Sequence, residues 1–357
     1  MKYALIGCGR VSHNHIIAAI RNGLEIAALC DLDAEKIDAE CAKYREQLGE
    51  VAKYTDYKEM IIREKPELVG IATDSGSHAD IAVFCIEHGC HVIIEKPIAL
   101  SLEDADRVIR AAEENNVKVC NNLQNRFNDA VQILRKAIDD GRFGNVYYGA
   151  AQLRWYRGDE YYRQASWRGT WAKDGGALMN QSIHIIDLLC WMMGDHVAEV
   201  AGMTDRLAHD CIEAEDLGLA VVRFKNGGYG VIEGTTDINR NSEEETLTIF
   251  GEHGTVKLGG ISAQVIEQWR FDDGLDDEDE IKKKYGTNPE HIYGLGHISV
   301  YEDVIDAIKN DRQPYIDAYA GRRALELVLS VYKAAAEGRT VKFPIEKCAT
   351  TDFCGRF

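Results

Sequence analysis

The sequence lacks a basic excess, paired cysteines and any long apolar run. Its 357 residues hold 41 Lys and Arg against 59 Asp and Glu, for a formal net charge of -18. That sign excludes a general nucleic-acid or phospholipid surface, since both need a positive field. The ten cysteines form no Cys-x-x-Cys pair, which argues against a zinc ribbon or a redox dithiol. The histidines are dispersed, so no metal site is expected. No stretch reaches membrane-spanning length, and no repeat or low-complexity tract is visible. The chain opens on a strand-like run and not on a signal peptide. The expectation is a cytoplasmic protein with reduced thiols, binding neither nucleic acid nor membrane.

What is present suits two globular domains. The composition is 45% hydrophobic and 28% charged, which is normal for chains with full cores. Over the first 120 residues short apolar runs alternate with amphipathic ones. Strands are expected at 2–6, 24–30, 68–73, 91–94 and 117–120, and helices at 11–21, 34–47, 78–88 and 101–115. Ser101 with Asp104 three residues on is close to a capping box. Such alternation implies a parallel sheet with right-handed crossovers. The predicted fold is α/β: an N-terminal Rossmann domain with a doubly wound parallel sheet over residues 1–121. A C-terminal α+β domain over 122–357 follows, with an open, mostly antiparallel sheet. Its strands are expected at 146–155, 198–204, 217–224, 229–236, 246–250 and 255–258. Its helices are expected at 128–139, 176–193, 297–310 and 319–337, the last packing back on the first domain. The acidic run 272–280 reads as a solvated loop. An open sheet leaves one face to cover, so a homodimer or homotetramer is expected.

The opening Tyr3-Ala4-Leu5-Ile6-Gly7-Cys8-Gly9-Arg10-Val11-Ser12 joins a strand to a helix. Gly7 permits a tight turn. Gly9 lets backbone approach a pyrophosphate, whose charge meets the helix N-terminus. Ser12 takes the third glycine position of the G-x-G-x-x-G pattern, where a small residue serves helix packing. Asp31, at the end of the second strand, is placed to accept from ribose hydroxyls and would repel a 2′-phosphate, which favours NAD over NADP. Arg10 and Val11 join Gly7, Gly9 and Asp31 as expected cofactor contacts.

Further along come Glu95-Lys96-Pro97, Trp167-Arg168-Gly169-Thr170-Trp171, and the run Asp174-Gly175-Gly176-Ala177-Leu178-Met179-Asn180-Gln181-Ser182-Ile183-His184-Ile185-Ile186-Asp187. In this order, and with the opening glycine turn, the chain resembles the Gfo/Idh/MocA oxidoreductase family over essentially its whole length. The resemblance implies hydride transfer to NAD, with Lys96 and a histidine at His184 carrying the chemistry. A neutral imidazole can take a hydroxyl proton, and an ammonium can stabilise the oxygen as charge develops. His184 is assigned as base and Lys96 as its electrostatic partner, with reversed roles as the alternative. Thr73, Asp74 and His78 match a family segment near the nicotinamide ribose, and Glu95 joins them. Many members carry proline at position 74, so Asp74 leaves the loop shape open. Asn180, where polyol-oxidising members carry aspartate, is expected on the face of His184 and bonded to a sugar hydroxyl. Asp187 either orients His184 or faces a neighbouring helix.

The Asn-Gln-x-Ile-His form is most similar to UDP-N-acetylglucosaminuronate 3-dehydrogenases. That likeness implies oxidation of a ring hydroxyl, at C3, of a sugar or nucleotide-sugar uronate. Arg154, Arg157, Arg163 and Arg168 supply cations, and Trp155, Tyr156, Tyr161, Tyr162 and Trp167 flat faces, for such a ligand. Arg126 and Asn128, after the last Rossmann strand, are further expected substrate contacts. The competing readings are a free-sugar or glycoside 3-dehydrogenase, a glycosidase that uses NAD, and a non-catalytic NAD-binding regulator.

Overall fold

A computed structural model describes residues 1–286 and 296–357. Two compact units result: Met1–Leu123 with Leu295–Arg322, and Gln124–Gly294 with Arg323–Phe357. Among the described residues no helix is long and apolar enough to cross a membrane.

The first unit is built on six strands: β1 (Lys2–Ile6), β2 (Glu25–Cys30), β3 (Ala52–Tyr54), β4 (Leu68–Ile71), β5 (His91–Ile94) and β6 (Val119–Asn121). All pair in parallel, in the order β3-β2-β1-β4-β5-β6. This is a doubly wound parallel sheet, as expected from the sequence, and its strand order reverses between β1 and β4. Ligands bind beyond the carboxyl ends of the strands at that reversal. Apolar runs such as Leu68–Ile71 are buried throughout because helices cover both faces. Each fully buried Leu or Ile contributes about 1.5–3 kcal/mol. The helix Leu102–Asn115 starts as its sequence predicts: Ser101 Oγ accepts from the Asp104 amide at 3.0 Å. The helix Gly296–Lys309 belongs to this unit, and the Tyr301 hydroxyl reaches Tyr3 Oη of β1 at 2.6 Å.

The second unit holds β7 (Val146–Arg154), β8 (Val197–Asp205), β9 (Leu217–Phe224), β10 (Tyr229–Thr235), β11 (Glu244–Gly251), β12 (Gly254–Gly259), β13 (Val265–Phe271) and β14 (Val341–Lys342). They form one sheet in the order β13-β12-β11-β7-β10-β9-β8-β14. All its pairings are antiparallel except that of β7 with β10. Alternation in β9 is regular: Gly218, Ala220, Val222 and Phe224 are buried, whereas Leu219, Val221 and Arg223 are exposed. The helix Ile183–Met192 packs on the buried face, where Gly149 of β7 and Gly230 of β10 leave room for Leu189.

Three local expectations change. The predicted helix over 176–193 is a π-helical turn, Ala177–Gln181, followed by the α-helix Ile183–Met192. The acidic run is only partly loop: Asp277 caps the helix Glu278–Tyr285, and Asp273 and Asp276 both bind Arg142. Strands β3, β13 and β14 lay outside the sequence expectation, because short or polar-interrupted runs carry little period-2 signal.

Candidate active site

The glycine turn has the geometry a dinucleotide needs. Gly7 has φ +100°, and a Cβ there would collide with the Ala72 carbonyl oxygen. Only glycine tolerates both conditions. Gly9 is exposed, with open space where a side chain would stand. The helix Ser12–Arg21 has no side-chain cap hydrogen bond at its start, which leaves its dipole available to an anion. Ser12 is fully buried and its hydroxyl donates to the Gly9 carbonyl at 2.6 Å, closing the turn. Asp31 Oδ2 accepts from the Cys8 amide at 2.8 Å, and Oδ1 accepts from the Asp33 amide at 2.9 Å. The carboxylate, expected to accept from ribose hydroxyls, thus also braces the glycine turn. These residues fit NAD, with Arg10 and Val11 flanking the turn.

Asp74 has φ -68°, inside the narrow range proline would impose. Asp74 therefore holds the backbone angle that a proline would impose. The Ser77 hydroxyl donates to Thr73 Oγ1 at 2.7 Å and to the Asp74 carbonyl at 2.8 Å. His78, expected as a cofactor contact, is buried instead. Its Nδ1 donates to the Pro97 carbonyl at 2.8 Å, and Nε2 lies 3.3 Å from the Thr73 carbonyl. Burial holds this imidazole below its ordinary pKa, hence neutral. It ties the loop after β4 to the Glu-Lys-Pro turn.

Glu95 was also expected at the cofactor, yet its side chain turns into the core. Oε1 accepts from Asn122 Nδ2 at 2.5 Å and from His15 Nε2 at 2.9 Å, with His297 Nε2 at 3.2 Å. His15 Nδ1 stands 2.7 Å from the Tyr301 hydroxyl. Burial alone would raise the Glu95 carboxyl, but the bonds from His15 and His297 hold it well below the usual range. His15, Glu95 and His297 bring three ligand-type atoms within 4.8 Å of one another. Hydrogen bonding already accounts for their arrangement. The sequence offered no sign of this network, whose bonded members are up to 286 residues apart. Lys96 follows Glu95, is half-buried, and begins a cis peptide bond to Pro97.

In the second unit His184 occupies the first turn of the helix Ile183–Met192 and is half-buried. Asn180 lies within the π turn, so the four-residue spacing that would stack it under His184 in an α-helix does not apply. Its amide is already engaged: Nδ2 donates to Asp174 Oδ1, and Oδ1 accepts from Gln181 Nε2 at 2.7 Å. Gln181 Nε2 also donates to the Tyr161 hydroxyl at 3.0 Å, and Asp174 Oδ2 accepts from the Gly169 amide at 2.6 Å. Asn180 thus ties the π turn to Asp174 and Gln181. Asp187 faces a neighbour and does not orient His184: its carboxylate accepts from Arg126 Nε at 2.7 Å and Nη2 at 2.6 Å.

That pairing removes Arg126 from the expected substrate contacts. It is buried and lies over the Trp191 ring at 4.7 Å. Asn128 N-caps the helix Asp129–Asp139, and its amide donates to the Ser262 carbonyl at 3.3 Å. Arg154 is shared between Glu233 and Glu244, each at 2.5 Å, and Arg163 pairs with Asp159 at 2.7 Å. Arg157 and Arg168 lie on ring faces, and Arg157 Nη1 also donates to the Tyr156 carbonyl at 2.9 Å, with Glu243 at 3.9 Å. The Arg157 guanidinium lies 4.6 Å from the Trp155 ring and 5.2 Å from Tyr161. The Arg168 guanidinium lies 4.1 Å from Tyr161 and 4.7 Å from Trp167. The five side chains form a ladder of rings and cations, each cation–π contact worth about 0.5–1 kcal/mol. All five were expected among the cations and flat faces of the site, and the structure brings them side by side.

Residues 1–123 match the oxidoreductase family with an NAD-binding Rossmann fold, and residues 131–257 match the GFO/IDH/MocA C-terminal domain. The WlbA dehydrogenase from Bordetella pertussis, solved in complex with NADH and UDP-GlcNAcA, is 34% identical. Its alignment covers 97% of this chain and 98% of that one, with a TM-score of 0.90. The WlbA dehydrogenase from Chromobacterium violaceum, in complex with the same two ligands, is 33% identical, with coverages of 97% and 96% and a TM-score of 0.87. A D-apiose dehydrogenase of Paraburkholderia graminis is 27% identical over 96% of this chain and 89% of its own length.

Proposed function

The chain belongs to the Gfo/Idh/MocA family of NAD-dependent oxidoreductases, and on that premise we propose that it oxidises C3 of a nucleotide-linked sugar uronate. The observation that carries this reading is the ladder Trp155–Arg157–Tyr161–Arg168–Trp167. Its rings offer flat apolar faces to a base or a pyranose. Its two guanidinium groups are held in place by ring faces, which suits them to a carboxylate or diphosphate. Similarity to dehydrogenases solved with UDP-GlcNAcA supports the same ligand class.

NAD, when bound, supplies the nicotinamide carbon that receives the hydride. His184 acts as the base that takes the hydroxyl proton. Lys96 donates to the same oxygen as negative charge builds on it. Gly7, Gly9, the open helix start and Asp31 hold the dinucleotide. A second reading, oxidation of a free sugar, draws support from the likeness to the D-apiose dehydrogenase. We also propose that a second copy of the chain covers the outer face of the second sheet. Met203, Leu219, Val221, Tyr229 and Phe250 are exposed there on neighbouring strands.

The test monitors NADH formation with UDP-linked sugar acids, free hexoses, free uronates and inositols. Turnover is expected with a UDP-linked sugar acid. Arg157→Met and Arg168→Met should each lose a charged hydrogen bond worth about 1.5–3 kcal/mol, raising KM roughly 10- to 100-fold while leaving kcat near wild type. If UDP-linked sugar acids give neither turnover nor thermal stabilisation, the nucleotide-sugar reading is wrong. Turnover of a free sugar alone would select the second reading.

A further inference from the structure

The π turn that precedes His184 is met at its start by two side chains from distant parts of the chain. A helix start leaves four amides without partners inside the helix. Here each one is taken up from outside. Ala177 N donates to the Glu215 carbonyl at 3.0 Å, and Leu178 N donates to Glu215 Oε1 at 2.8 Å. Gly176 N and Met179 N both donate to the Tyr332 hydroxyl, at 3.4 and 3.2 Å. The Tyr332 hydroxyl in turn donates to Glu215 Oε1 at 2.9 Å, which closes the cluster. Glu215 is 0% exposed and Tyr332 1%. The Tyr332 ring is wedged by Trp171 at 5.3 Å and by Phe353 of the C-terminal tail at 5.5 Å.

Glycines make room for this arrangement. A Cβ at Gly176 would collide with the Glu215 carboxyl, one at Gly218 of β9 with Leu178, and one at Gly234 of β10 with Ser182 Oγ. The turn from Ala177 to Gln181 is thus pressed onto two strands and pinned by its amides. Such π turns are rare and frequently stand at functional sites.

We propose that Glu215 and Tyr332 are positioning residues for the hydride-transfer reaction: they hold the π turn in register and so set where the His184 imidazole stands. This rests on the reading of His184 as the base. The groups that face Glu215 are Asp216, Tyr332 and Tyr162, all acids or phenols. Burial pushes the Glu215 carboxyl up to about 8, so the neutral acid caps the turn at neutral pH. Ionisation above that value places an uncompensated charge beside Asp216 and loosens the turn.

The experiment compares steady-state turnover and its pH profile for wild type, His184→Ala, Tyr332→Phe, Glu215→Leu and Glu215→Gln, with NAD affinity as a control for folding. Tyr332→Phe and Glu215→Leu should lower kcat about tenfold or more with NAD affinity and KM little changed. Glu215→Gln keeps the oxygen that accepts from Leu178 and Tyr332. It should retain kcat at neutral pH and lose the decline of activity above about pH 8. Wild-type kcat and an unaltered pH profile in Tyr332→Phe and Glu215→Leu would overturn the proposal. Should Tyr332→Phe fail to fold, an unchanged alkaline decline in Glu215→Gln overturns it alone. Intact turnover in His184→Ala would instead sink the assignment of the base, a separate failure.

Discussion

Removing one member of the Arg126–Asp187 pair gives the sharpest test of how the second unit is held together. The pair is bidentate, at 2.7 and 2.6 Å, and its side chains are only 4% and 3% exposed. It joins the turn Gln124–Phe127 to the helix that carries His184. Asp187→Asn would leave the Arg126 guanidinium buried without its counter-charge. Breaking a buried pair this way costs about 3–5 kcal/mol. For a unit of this size each kcal/mol shifts Tm by about 2–4 °C, so Tm should fall by roughly 6–20 °C. Arg126→Met should cost a similar amount, because Asp187 is then the stranded charge. The double variant Arg126→Met with Asp187→Leu removes both charges and should recover most of the loss, since apolar replacement of a buried pair is often neutral or better. Chemical denaturation of the four proteins forms a double-mutant cycle. Single variants costing under about 1 kcal/mol, or losses that simply add, would refute the reasoning. A recovered double variant with unchanged KM would also place Arg126 outside the substrate contacts. A large rise in KM would return it to them.

Gly7→Ala combines a positive φ with a clash against the Ala72 carbonyl oxygen. It should weaken NAD binding at least about tenfold, or about 1.4 kcal/mol, whereas Gly9→Ala should fold with wild-type stability; titration of NADH fluorescence and thermal melting check both. The buried His209–Asp216 pair, at 3.0 Å, should make stability depend on pH at both ends. The bond to Asp216 raises His209 above its ordinary 6.5, so its contribution is full below 6.5 and is lost as pH rises through the folded value. Burial alone would raise Asp216, but bonds from His209 and nearby amides hold it below 3.8, so its contribution is lost as pH falls through that lower value. His209→Gln should therefore cost more stability at about pH 5.5 than at about pH 9, and an equal cost at both would contradict the assignment. On the outer sheet face, Val221→Glu should shift sedimentation toward smaller species. A wild-type protein that sediments as a monomer would remove the proposed contact.

Much of the fold was legible in local pattern. Period-2 alternation in Leu217–Phe224 marked a half-buried strand, and apolar runs bounded by glycine marked the parallel sheet. The π turn was not legible, because Ala177–Gln181 has the composition of an ordinary helix. The acceptors that meet its first amides, Glu215 and Tyr332, come from distant parts of the chain. The loop at Asp74 shows the opposite case, where a residue that departs from the family motif keeps a proline-like backbone angle.

The sequence by itself determined the strand–glycine–helix opening, the carboxylate that ends β2, and the order of the motifs that carry Lys96 and His184. These are local features, set by steric rules and by spacing along a few residues. Only the tertiary structure decided which cations are committed. Arg126 meets Asp187, 61 residues away, and Arg154 meets Glu233 and Glu244, 79 and 90 residues away. Tyr332 meets Glu215, 117 residues away. Charge neutralisation and amide capping act over a few ångströms, and no periodicity in the chain encodes which distant residue will come that close.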